Sequence, residues 1–225
     1  MQTTPRTITV YGDSYTAETN AYVENTGYGF AASAALGLGG TDATILTRAA
    51  GGCSLKNACD NTGSWTTLGT GASIQNSPDK DVGSYAVLRY GINDVLQHVL
   101  ANPTFPSFAA RKTHFENTLW GSLQVVVPAL KAAGKKVILY VPPVLPIASS
   151  GAPGWEWSST HVALADVLRT IVLLYANNSA VRVIDQSGTV LTAPQMGDWV
   201  HPTGAAMHTL SIDFGQRLRT AITGY

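Results

Sequence analysis

The chain has 225 residues, with 14 lysines and arginines balanced by 14 aspartates and glutamates, and 45% of its residues are hydrophobic. That length and composition suit one globular domain over residues 1–225 with a sizeable buried core, and the neutral balance excludes the clustered positive charge that nucleic-acid and anionic-membrane binders depend on. Charged residues make up only 12%, about half the usual share, so Ser, Thr, Asn and Gly must build much of the surface, a composition associated with a secreted or periplasmic protein.

Strand and helix patterns alternate along the chain. Thr7 to Tyr11 is β-branched and aromatic and stops at Gly12, as a strand running into a turn does. No signal-peptide pattern precedes it, since Pro5 and Arg6 lead straight into the strand. The alanine-rich stretch from Gly27 to Leu38 reads as a helix closed by Gly39-Gly40. Thr44 to Thr47 and Tyr85 to Tyr90 give two further strands, the latter stopped by Gly91. A long helical segment runs from about Pro106 to Ala133, with a break expected near Pro128. Lys136 to Val141 is the most apolar strand, followed by a helix from Ser159 to Ala176, a fifth strand from Val181 to Ile184 and a last helix from Pro202-Thr203 to Ile222. No apolar run is read as a membrane span.

Strands separated by helices imply right-handed βαβ crossovers. The expected fold is therefore α/β: a flavodoxin-like three-layer α/β/α sandwich around a five-stranded parallel sheet. Cys53 to Asp81 and Val144 to Ser158 break the alternation. Both follow a strand's carboxyl end, where open α/β sheets hold their binding crevice, and both are expected to wall a pocket.

Four polar motifs punctuate the strand ends: Gly12-Asp13-Ser14, Gly51-Gly52, Gly91-Ile92-Asn93-Asp94 and Asp198-Trp199-Val200-His201-Pro202. In this topology all four converge on one sheet edge. Acyl transfer needs a nucleophile, a base and donors for an oxyanion. Ser14 is the candidate nucleophile, His201 the base, and Asp198 the residue that orients it. The backbone N–H groups of Ser14 and Gly52 and the side-chain amide of Asn93 are the candidate oxyanion donors. Each motif alone is an ordinary turn, helix cap or helix-starting loop; their order and shared edge argue for a site.

These residues resemble the four blocks of the SGNH, or GDSL, hydrolase family: Val10 to Tyr15, Arg48 to Cys53, Tyr90 to Val95, and Asp198 to Gly204. The second block is the loosest, with Thr47 where an asparagine is common and a cysteine directly after Gly52. The resemblance spans the domain and implies a serine ester hydrolase that needs no metal or cofactor. Within the motifs, Tyr15 and Trp199 flank Ser14 and His201 and are candidate substrate contacts. Trp155 and Trp157 either form a sugar-stacking wall or pack onto their own loop.

Cys53 and Cys59 are close enough in sequence for a disulfide, the reading favoured over two free thiols, and their spacing matches no zinc site. His201 and His208, with Asp198 or Asp213, form a weaker metal alternative without an obvious third ligand. An α/β-hydrolase elbow is excluded because Tyr15-Thr16 follow Ser14 where Gly-x-Ser-x-Gly is required. A dinucleotide fingerprint fails because Gly37-Leu38-Gly39-Gly40 closes a helix. The favoured substrate is a small-molecule or carbohydrate ester with a short acyl group, such as O-acetyl on carbohydrate, because the expected pocket insertions are polar and carry aromatics. A lipid or aryl ester is its rival, and an acyltransferase and a non-enzymatic carbohydrate-binding homologue remain as alternatives.

Overall fold

The computed structural model describes residues 6–17, 29–39, 43–68, 72–77, 83–101, 104–146, 157–196, 200–223 and 225. Five parallel strands form one sheet: β1 (Arg6–Gly12), β2 (Ala43–Ala49), β3 (Tyr85–Arg89), β4 (Lys136–Val141) and β5 (Arg182–Asp185). Their spatial order is β2-β1-β3-β4-β5, the flavodoxin-like arrangement expected from the sequence. In that order the chain reverses its winding between β1 and β3, which places the crevice of an open sheet at their carboxyl ends.

The period-2 alternation of side chains splits the core in two. Ile8, Val10, Tyr85, Val87, Ile138, Tyr140 and Ile184 face one side, under helices α1 (Phe30–Leu38) and α6 (Gly204–Thr223). Tyr11, Ala86, Leu88, Val137, Leu139 and Val141 face the other, under α2 (Leu55–Asp60), α3 (Ile92–Ala101), α4 (Phe108–Ala132) and α5 (Ser159–Ser179). On the first side the helices come into backbone contact. A Cβ on Gly37 would lie 2.1 Å from the Ile212 carbonyl oxygen, and one on Gly215 would lie 2.0 Å from that of Ala34. Only glycine permits that crossing.

Three local outcomes differ from expectation. Helix α4 does not break at Pro128. Proline removes one N–H, leaving the Gln124 carbonyl without its helical partner, but both residues lie on the solvent-exposed face of the helix, where losing that bond costs least. Helix α2 and the short 3-10 turns at Gly63–Leu68 and Ile74–Asn76 give structure to the insertion after Cys53, and the helix cap expected at Asn93-Asp94 opens the ten-residue helix α3. Helix α5 is also long and apolar enough to cross a membrane by length and composition. Its apolar residues at Leu164, Leu168, Ile171, Val172 and Tyr175 are instead the buried stripe of a core helix.

Candidate active site

The nucleophile candidate sits where β1 runs out. The N–H groups of Thr16 and Ala17 both donate to the Asp13 carbonyl at 2.9 Å, closing a single tight turn with Ser14 inside it. The Asp13 carboxylate accepts the Tyr15 N–H at 3.0 Å, an Asx-turn that fixes the corner. Asp13 and residues 15–17 are buried and Ser14 is half-buried.

His201 is brought to Ser14 across 187 residues: its Nε2 lies 2.9 Å from the Ser14 Oγ. Several bonds hold its loop. Met196 pairs with Pro202 in an antiparallel bridge, the Thr203 N–H donates to the Gln195 carbonyl at 2.7 Å, and the Thr203 hydroxyl accepts the Ala206 N–H at the start of α6. From the other side, the Tyr15 hydroxyl donates to the Val200 carbonyl at 2.6 Å. Asp198, Trp199 and Trp155 lie outside the described residues.

Gly52 occupies a turn built beside the nucleophile. The Ala50 N–H donates to the Gly12 carbonyl, and the Cys53 N–H donates back to the Ala50 carbonyl. Gly52 has φ of +72°, whereas Gly51 is not among the positive-φ residues. This is the pattern of a type II turn, which needs glycine at its third position. A Cβ there would meet nothing nearer than the Ser64 hydroxyl at 3.9 Å, so the constraint is conformational rather than steric. The Gly52 N–H finds no acceptor among the described residues.

Asn93 stands in the first turn of α3, beyond the end of β3, half-buried with its amide against the Asp13 carboxylate. Burial raises the Asp13 pKa above the ordinary carboxylate value, opposed by Arg89, the Tyr15 N–H, the Asn93 amide and His201. Arg89 is itself fully buried on the α1–α6 side. Its guanidinium lies 4.6 Å from the Phe30 ring centroid, 5.1 Å from Tyr140 and 5.2 Å from Phe214, and one of its nitrogens donates to the Thr16 hydroxyl at 2.9 Å. Sequence reasoning missed both Asp13 and Arg89 as supports of the site. A lone arginine at a core-facing position of β3 was the available signal.

Asp94 turns the other way. One carboxylate oxygen accepts the Leu55 N–H at 3.0 Å at the start of α2, and the other has no hydrogen-bond partner among the described residues. Burial pushes its pKa up to about 7, opposed by the Leu55 N–H and reinforced by the negative charge of Asp13. Asp94 lines a cavity of about 250 Å³ with Ser54, Asn57, Gln97, His98, His114, Phe115 and neighbouring residues of α2, α3 and α4. The insertion after Cys53 therefore does wall a cavity, but neither Ser14 nor His201 lines it.

Three expected roles need correction. Cys53 and Cys59 are free and buried: the Cys53 thiol donates to the Ser54 carbonyl and the Cys59 thiol to that of Ser122, so each is turned to its own backbone partner. Trp157 is not an exposed wall but a core residue, 1% exposed and stacked on His161 at 5.1 Å. Tyr15, taken as a substrate contact, is buried with its hydroxyl committed to Val200. For the metal alternative, His208 Nδ1 pairs with the Ser33 hydroxyl at 2.8 Å, and no metal-like cluster of His, Cys, Asp or Glu occurs among the described residues.

No protein-family model matches the chain, and no curated protein matches it either. Solved structures do. Axe2, an acetylxylan esterase from Geobacillus stearothermophilus, is similar at 17% identity over 95% of this chain and 94% of its own, with a TM-score of 0.61. An extracellular lipase from Streptomyces rimosus is similar at 17% identity over 96% and 99%, with a TM-score of 0.56. The acetyl xylan esterase AlAXEase is similar at 16% identity over 92% and 96%, with a TM-score of 0.57. The chain thus shares, over nearly its whole length, the three-layer fold of these solved enzymes, with Ser14 and His201 meeting at the carboxyl edge of its sheet.

Proposed function

We propose that the chain is an SGNH-type serine hydrolase that opens carboxylic esters, preferring short acyl groups such as O-acetyl groups on carbohydrate. The observation that carries the reading is the 2.9 Å approach of His201 Nε2 to the Ser14 Oγ. His201 takes the hydroxyl proton as Ser14 attacks the acyl carbon. The resulting oxyanion is met by the N–H groups of Ser14 and Gly52 and by the Asn93 amide. His201 then passes the proton to the leaving alkoxide, and the ester C–O bond breaks to leave an acyl-Ser14 intermediate. Water, deprotonated by His201, attacks that acyl carbon. Ser14 recovers its proton as the acid departs. Asp198 orients His201 and balances its charge when it is protonated.

The Gly52 N–H, without an acceptor among the described residues, supports its role as a donor, and the contact of the Asn93 amide with Asp13 supports a fixed orientation for Asn93. The acetyl preference draws on the acetylxylan esterases among the similar structures; the similar lipase favours a longer acyl chain. A secreted or periplasmic setting belongs to the same reading, in keeping with the low charge content and the extracellular lipase. Initial rates on p-nitrophenyl acetate and octanoate test both levels. We expect acetate to turn over faster and Ser14→Ala to abolish both activities. Faster octanoate turnover would replace the acetyl reading with the lipase one, and full activity of Ser14→Ala would sink the mechanism.

A further inference from the structure

We infer that Gln97 is a positioning residue for the oxyanion hole, holding the Gly52 turn to the same helix that carries Asn93; this rests on the hydrolase reading above. The Gln97 side-chain amide donates to the Gly52 carbonyl at 2.5 Å. Asn93 and Gln97 are four residues apart on α3 and so share one face of the helix. One rigid element therefore presents one oxyanion donor directly and grips the turn that presents another.

The turn needs that grip. The Cys53 N–H and the Ala50 carbonyl close it from within, but this leaves the peptide between Gly51 and Gly52 free to rotate, and glycine at both positions offers little resistance. Rotation of that central peptide turns the Gly52 N–H away from its working direction. The following peptide is held at both ends: its carbonyl by Gln97 and its N–H by Ala50. Asp94, adjacent to Asn93, fixes the chain three residues further on by accepting the Leu55 N–H. Helix α3 thus anchors the chain at Gly52 and Leu55. With the peptide after Gly52 held, the central peptide can turn only against that anchor, which restricts the direction of the donor before substrate arrives, as electrostatic preorganisation requires. Gln97 also lines the 250 Å³ cavity, so the competing role is a direct contact with substrate.

Two substitutions separate the roles. Gln97→Leu keeps the bulk and Gln97→Glu keeps bulk and polarity, but neither keeps the donor. Each is compared with wild type for kcat and KM on p-nitrophenyl acetate and for inhibition by phenylboronic acid, which forms a tetrahedral adduct on an active serine. We expect both variants to lose about tenfold in kcat, less than loss of a direct oxyanion donor costs, with KM within about twofold. Boronate inhibition should weaken by the same factor as kcat falls. If Gln97→Leu fails to fold, Gln97→Glu carries the comparison alone. Wild-type kcat in Gln97→Glu, or a raised KM at unchanged kcat, overturns the positioning role. A wild-type protein that neither hydrolyses the acetate ester nor binds the boronate overturns the hydrolase reading itself, and this inference with it.

Discussion

On the α1–α6 side of the sheet, two helices cross backbone to backbone at Gly37 and Gly215, and the buried charge of Arg89 is surrounded by the rings of Phe30, Tyr140 and Phe214. On the opposite side, α2, α3 and α4 line an open cavity of about 250 Å³, and one buried Asp94 oxygen has no hydrogen-bond partner among the described residues. Both sides bury an ionisable group, Arg89 on the first and Asp94 on the second, but rings close around the first while the second lines a cavity. The packed side borders the ends of β1 and β3, where Ser14, the proposed nucleophile, stands. The open side holds α3, which carries Asn93 and contacts Gly52, two of the proposed oxyanion donors. Positional precision and adjustable chemistry are divided between the two faces.

The largest break in this contrast comes from the helix crossing. Gly215→Leu drives a side chain into the Ala34 carbonyl, already only 2.0 Å from where a Cβ would sit. Overpacking costs about 1–3 kcal/mol where side chains can shift, and backbone cannot shift as they do. Urea unfolding should show a loss of 3 kcal/mol or more, on the order of the upper end of that range. Thr118→Val on the cavity wall should stay within about 0.5 kcal/mol of wild type. Similar losses for the two would remove the distinction between the faces.

Asp94 gives the next effect, with a definite sign. Its folded-state pKa of about 7 lies above the value near 3.9 of an unfolded aspartate. The folded protein thus keeps this proton through a range in which the unfolded chain has lost it. Stability from this group is full below about pH 4 and falls as pH rises through about 7. The difference corresponds to a ceiling on the order of 4 kcal/mol, and Asp13, raised by burial, pulls the same way. Asp94→Asn keeps an acceptor for the Leu55 N–H and removes the titration. Its urea midpoint should therefore decline less than that of wild type between pH 5 and pH 8. Parallel profiles for the two proteins would contradict the raised pKa.

The strands, most helices and the shared edge were legible in the sequence because β-branched and apolar runs with glycine stops are local signals. The parallel direction of the strands followed from their alternation with helices. Ser14 and His201 were legible for a different reason: their motifs lie at strand and helix ends, and the topology determines which ends meet. The supporting residues were not legible. Gln97 is an ordinary helical glutamine until Gly52 is folded against it, and Arg89 is marked in sequence only by its core-facing place on β3, with nothing to show the three rings that close around it. The disulfide expectation failed because sequence separation says nothing about the direction of two side chains. Cys59 lies in the short helix α2 and turns to Ser122, while Cys53 bonds beside its own turn. The two tryptophans of the second insertion read alike in sequence, yet Trp157 packs onto His161 in the core.

The smallest effect comes from the residue that joins the two faces. The Tyr15 ring lies 5.9 Å from the Arg89 guanidinium on the packed side and 6.2 Å from the His201 ring on the catalytic side. Its hydroxyl holds the carbonyl of the residue before His201. Tyr15→Phe keeps the ring and removes the bond from its hydroxyl to Val200, so stability should fall by about 1 kcal/mol. The Val200 carbonyl loses the Tyr15 hydroxyl, and the His201 loop relaxes by a small amount. A base displaced from its nucleophile slows attack without altering ground-state binding, so kcat on p-nitrophenyl acetate should fall about threefold to tenfold with KM nearly unchanged. A tyrosine that touched substrate would show the opposite split, with KM rising while kcat held. The ratio of the two constants in Tyr15→Phe therefore decides whether this tyrosine serves the protein's own loop or its ligand, at a position where sequence alone favoured the ligand.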